Sequence, residues 1–266
     1  PLARVANLLS VPPILNYAGY ALYNWKRFDK KQDIVLGNID TIQNFVHLYD
    51  EHWFILIHVE IEAQASIILA AVETFHAENR RAGKISEEVV NTQLQLIAAC
   101  LVQQLRVLKR IPERMSSDLY FKVFRPYIRF FEKVKFLGVK QQTMNYRGET
   151  GAQSSIMPVL VHLLKIEHKQ SILVDHLQEI RQHMPPKHRK FIENTSHLPD
   201  LKPYAEPGLF DQVLELIAQF RAVHFEWAKE YIHKHVKDTR GTGGTPYMHW
   251  LNQLIDETRE RKHNKG

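Results

Sequence analysis

One cysteine among 266 residues, Cys100, rules out a disulfide within the chain and any centre built from several thiolates. It lies in LIAACLVQQL, reads as a small buried hydrophobe, and suits a reducing, cytoplasmic compartment. Basic stripes are also missing. Thirty-five Lys and Arg against 29 Asp and Glu leave +6, but the charges interleave along the chain, which argues against a nucleic-acid partner. Glycine is scarce, and three of the 11 fall in GTGGT at 241–245. That run is no phosphate cradle, because no lysine follows its last glycine and no strand precedes its first. The most membrane-like window, residues 53–72, carries His58, Glu60, Glu62 and Gln64 near its middle and reads as a core helix, so no membrane partner is expected.

Alternating strand patterns are few, and apolar residues recur at helical spacing almost everywhere. The expected fold class is therefore all-α, with helices over about 14–26, 38–48, 51–80, 86–110, 117–134, 154–166, 170–183, 186–194, 208–234 and 246–260. Ser86 and Ser117 or Asp118 read as N-caps, and Pro186 suits a first helical turn. The glycine-bearing NYRGETGAQSS, 145–155, ends where a helix should start, and the free N–H groups there favour an electron-rich ligand.

Two helices hold residues with chemistry to offer. In LFDQVLELIAQFRAVHFEWAKEYI, 209–232, the apolar stripe through Phe210, Val213, Leu214, Ile217 and Phe220 continues to His224. That imidazole is either a core histidine bonded to a carbonyl or a proximal ligand for haem iron, with Arg221 one turn away to reach a propionate. In SSDLYFKVFRPYIRFFEKV, 116–134, Tyr120, Phe124, Tyr127 and Phe131 form one aromatic stripe, while Phe121 and Arg125 share another face. Pro126 is expected to bend this helix. Arg125 is either a surface arginine lying along apolar neighbours or a planar fork for a carboxylate. Two Glu-x-x-His spacings, Glu73 to His76 and Glu230 to His233, have the pattern of a di-iron bundle, but both read more naturally as solvated faces.

VPPILNYAGYALYNWK (11–26), FKVFRPY (121–127), GAQSS (151–155), MPPKHRKF (184–191), RAVHFEWAKEYI (221–232) and GTGGT (241–245) occur in an order, and over a span, that resemble the indoleamine 2,3-dioxygenases. The resemblance implies a large helical bundle enclosing a haem pocket, with 1–50 as the remnant of a small N-terminal domain and 51–266 as the catalytic domain. It implies haem b as cofactor, with L-tryptophan or a related indole and O2 as substrates. An electron donor would keep the iron reduced. His224 takes the place of the proximal ligand and Arg221 that of the propionate arginine, beside Gly151 and Ala152. Tyr120, Phe121 and Thr150 fall in the distal pocket, with Tyr17 as a pocket tyrosine. Arg125 matches the carboxylate clamp, and Gly241, Thr242 and Gly243 the flap over the substrate's amino-acid end. His52 and His58 share a helix near the expected position of the indole N–H, and either can face it. Within the same resemblance stand another indole substrate, insertion of a single oxygen atom, and a non-enzymatic O2-binding haem protein.

Overall fold

The computed structural model describes residues 1–139, 143–169, 172–235 and 247–263. Its helices, in chain order, are α1 (Leu2–Leu9), α2 (Tyr49–Gln64), α3 (Ser66–Ala82), α4 (Glu87–Leu108), α5 (Ser117–Leu119), α6 (Arg125–Ile128), α7 (Ile156–Leu163), α8 (Ile172–Arg181), α9 (Pro186–Ser196), α10 (Pro207–Tyr231) and α11 (Tyr247–Glu260). The expected all-α class holds. The two sheets are short antiparallel pairs, β1 (Trp25–Arg27) with β2 (Ile39–Thr41) and β3 (Phe131–Val134) with β4 (Met144–Tyr146).

The core follows from helical spacing. α10 packs along α4 and α11, and α4 also packs on α2 and α3. Ile57, Phe75, Leu94, Leu101, Leu160, Phe210, Val213 and Ile217 from these helices and α7 are fully buried in one apolar cluster. The 53–72 window belongs to it, with Ile57, Ile68 and Val72 wholly covered. Ser86 caps α4 by accepting from the Val89 N–H at 3.3 Å, and Gly83 ends α3 in the left-handed region at φ +68°. Cys100 is buried, donates to the Gln64 carbonyl at 3.2 Å, and has its thiol pushed up to about 11 by burial.

Four expected helices are not continuous. The 51–80 helix breaks at Ala65 into α2 and α3. Over 14–26 the chain forms a π-turn, Ala18–Leu22, and then β1. Over 38–48 it forms β2 and a loop, because the Asn38 amide bonds the Asp29 and Asp33 carbonyls at 2.9 Å each and so stabilises a turn in competition with a helix. The 117–134 stretch breaks twice. α5 passes into a π-turn, Tyr120–Phe124, and α6 restarts with Pro126 in its first turn. Beyond α6 the chain becomes β3, so the aromatic stripe splits: Tyr120 and Phe124 are buried, Tyr127 and Phe131 exposed.

One close approach fixes the region after β4. A Cβ on Gly148 would stand 2.5 Å from backbone atoms of Ile128, Arg129 and Phe130. Only glycine lets these two segments touch. The contact carries the next residue, Glu149, whose N–H donates to the Ile128 carbonyl at 3.0 Å, to the wall of a large hollow.

Candidate functional site

The hollow lies between α10, α2, the π-turn at Tyr120 and the loop leading into α7. Its cavity volume is about 280 Å³, and its walls are mainly apolar. That stands near the lower end of the roughly 300–1,000 Å³ usual for small-molecule pockets, and the hollow also opens to solvent.

α10 forms one side with Phe220, Arg221, His224 and Ala228. Successive turns put 217, 221, 224 and 228 on a common face, and at 224 the buried seam opens into the hollow. Protein surrounds the His224 ring, yet the residue keeps accessible surface, because that surface is the wall of the hollow. Neither ring nitrogen has a hydrogen-bond partner among the described residues. Burial, helped by nearby His58, pulls its pKa down to about 4, so it is neutral at pH 7. Among the described residues no carbonyl accepts from it.

Arg221 points its guanidinium at α11, donating to the Leu254 carbonyl and the Thr258 hydroxyl. Burial, opposed by Glu257, lowers it to about 10. It remains a cation at neutral pH. α11 is clamped from further points, with His168 Nδ1 2.6 Å from the Glu257 carboxylate and Arg259 donating to Glu215 at 3.1 Å.

The other side is more polar than the sequence led one to expect. His58 bonds the Phe54 carbonyl through Nδ1 at 2.7 Å. A carbonyl only accepts, so Nδ1 carries the proton and Nε2 of the neutral ring is an acceptor. Burial lowers its pKa, and its ring meets the Tyr17 ring edge-on at 5.9 Å. Tyr17 donates to Glu62 Oε1 at 2.9 Å, and the Ser154 hydroxyl donates to the same oxygen at 2.5 Å. Burial still raises the Glu62 pKa against those two bonds. Thr150 caps a one-turn 3-10 helix, Gly151–Gln153, by accepting from the Ala152 N–H at 3.3 Å, and Gln153 ties the turn to the Tyr17 N–H at 2.8 Å.

Tyr17, His58, Tyr120, Thr150, Gly151, Ala152, Arg221 and His224 therefore share one wall system, while three expected residues stand elsewhere. His52 faces the β1–β2 pair, with Nδ1 3.0 Å from the Thr41 hydroxyl and 3.3 Å from Asp40, six residues and more than one helical turn from His58. Phe121 lies on the far side of the π-turn, stacked on His235 at 5.1 Å. Arg125 is 2% exposed with its guanidinium 5.1 Å over the Phe121 ring and does not line the hollow. Gly241, Thr242 and Gly243 lie outside the described residues. Glu62, Ser154 and Glu149 also line the hollow and were missed as site residues. Among the described residues, no group of three or more His, Cys, Asp or Glu side chains could hold a bare metal ion.

Fold and site define a helical protein that encloses a mainly apolar hollow lined by a neutral imidazole, His224, with no hydrogen-bond partner among the described residues. The indoleamine 2,3-dioxygenase family model matches residues 1–238, and the chain belongs to that family. It is similar to indoleamine 2,3-dioxygenase 2 of Mus musculus, 26% identical over 98% of this chain and 70% of the relative. Indoleamine 2,3-dioxygenase 1 of Rattus norvegicus is 26% identical over 98% and 71%, and the Saccharomyces cerevisiae indoleamine 2,3-dioxygenase 25% over 97% and 70%.

Proposed function

We propose that the hollow holds haem b on His224 and that the protein is a haem-dependent dioxygenase of L-tryptophan or a related indole, giving an N-formylkynurenine-type product. The observation that carries this reading is the His224 ring, neutral, without a hydrogen-bond partner among the described residues, and open to the mainly apolar hollow. The residues present fit the group. Imidazole is a common proximal donor, apolar walls suit a macrocycle, and Arg221 supplies a buried cation beside the same helix face.

When bound and reduced by an electron donor, haem supplies the activation of O2. The chain's own residues place the other reactant. His58 Nε2 is an acceptor aimed into the hollow, suited to the indole N–H, and Phe54 and Tyr120 offer flat faces beside it. Holding the indole in one orientation is the protein's main contribution to rate, and the apolar lining keeps water from the reacting atoms. Arg125, to which the resemblance assigns the substrate carboxylate, is not among the residues lining the hollow, and its guanidinium lies 5.1 Å over the Phe121 ring.

The test is turnover by the haem-loaded, chemically reduced protein with L-tryptophan under 18O2. Two labelled atoms in a formylkynurenine-type product support the proposal. One labelled atom would make it a monooxygenase, and reversible O2 binding with no product would make it an oxygen carrier.

A further inference from the structure

Two carboxyls line the same hollow, Glu62 half-buried and Glu149 buried, and they differ in their partners. Glu62 accepts hydrogen bonds from Tyr17 and Ser154. Glu149, 3% exposed, has neither a hydrogen-bond nor an ion-pair partner among the described residues. The cations that also line the hollow are engaged elsewhere, Arg221 on Leu254 and Thr258 and Arg181 on His162 at 3.1 Å. His58 and His224 are held neutral by burial. A buried carboxyl facing an open space with no donor in reach is costly to keep, and the missing partner is a donor that arrives with a ligand. Gly148 reinforces this, since its close approach to the backbone of 128–130 fixes where Glu149 sits. Glu149 lies near enough to Tyr17 to raise its pKa, so it belongs to the polar wall around Tyr17, Glu62 and His58.

We propose that Glu149 receives the protonated amine of the substrate, so that the hollow selects indolealkylamines carrying an ammonium group over indoles that lack one. This rests on the indole-substrate reading above. Burial keeps the Glu149 carboxyl protonated while the hollow is empty; an arriving ammonium favours release of that proton to solvent and a charge-assisted hydrogen bond to the carboxylate. A ligand whose only charge is negative gains no such bond.

The experiment titrates haem-loaded protein and its Glu149→Gln and Glu149→Asp variants with L-tryptophan, tryptamine and indole-3-propionate by calorimetry. The proposal predicts that Glu149→Gln weakens tryptamine and L-tryptophan by roughly 10- to 100-fold while leaving indole-3-propionate unchanged or tighter. Glu149→Asp, which keeps the charge, should retain the preference for amines. Equal weakening of all three ligands, or amine affinities within about twofold of the parent, would overturn it. The haem absorption band is read in the same samples. Its presence alongside an unselective Glu149→Gln removes the amine assignment alone, whereas its absence removes the haem reading as well.

Discussion

Replacing Glu149 by glutamine perturbs the molecule in a way whose size follows from the structure. The residue is 3% exposed, its carboxyl makes no hydrogen bond among the described residues, and burial pushes it from its ordinary 4.5 up to about 8. Between those values the folded protein holds a proton that the unfolded chain has released. The folded state is thus favoured at low pH and loses that advantage as pH rises from 4.5 towards 8. At about 1.4 kcal/mol for each pH unit, the gap between 4.5 and 7 amounts to roughly 3 kcal/mol at neutral pH. Glutamine has nearly the same shape, does not ionise, and breaks no hydrogen bond. Glu149→Gln should therefore stabilise the protein by roughly 2–3 kcal/mol at pH 7, allowing for water in the hollow, and by almost nothing at pH 4.5. Urea unfolding of both proteins in the same haem state, at the two pH values, measures this. A stability difference that is the same at both pH values, or a destabilised variant at pH 7, would refute the reasoning.

Gly148→Ala puts a Cβ 2.5 Å from three backbone atoms and should cost about 1–3 kcal/mol in thermal unfolding; a variant as stable as the parent would contradict the close approach. His183, 4% exposed, is pulled from 6.5 down to about 4 by burial, so only the unfolded chain is protonated between those values and stability falls as pH drops through that window. His183→Gln should remove roughly 1–3 kcal/mol of that fall, read as a flatter plot of unfolding free energy against pH from 6.5 to 4, and an unchanged slope would count against it. Tyr231→Phe strips the donor from the Met115 carbonyl, bonded at 2.9 Å, and should lower stability by about 1–2 kcal/mol in the same unfolding assay.

The helical fold was legible because long periodic segments state their own buried face. The α10 stripe from Phe210 to Ile217 is fully buried along its core face, and His224 continues that stripe to the place where the core gives way to the hollow. Tyr17, Tyr120, Thr150 and Arg221, which the family motifs single out, line that hollow. Legibility failed where local polar chemistry outweighed periodicity, as at Asn38, or where a π-turn rotated the register, as between Tyr120 and Phe124. Phe121 and Arg125, in and just after that turn, do not line the hollow. Choosing between His52 and His58 needed the β1–β2 pair, whose Thr41 and Asp40 claim His52 from a distant part of the chain. Glu149 left one signal, an acid between two glycines of RGETG, but its lack of partners becomes visible only once Gly148 has set it against the segment after α6.

The central claim is that His224 is the protein's donor to haem iron. The direct measurement is titration of the purified protein and its His224→Ala variant with hemin, read in the visible spectrum. One equivalent bound to the parent with the sharp band of an imidazole-ligated haem, and loss of that band in a variant that remains folded by circular dichroism, is the predicted result. An identical band in both proteins, or no binding to either, would contradict it.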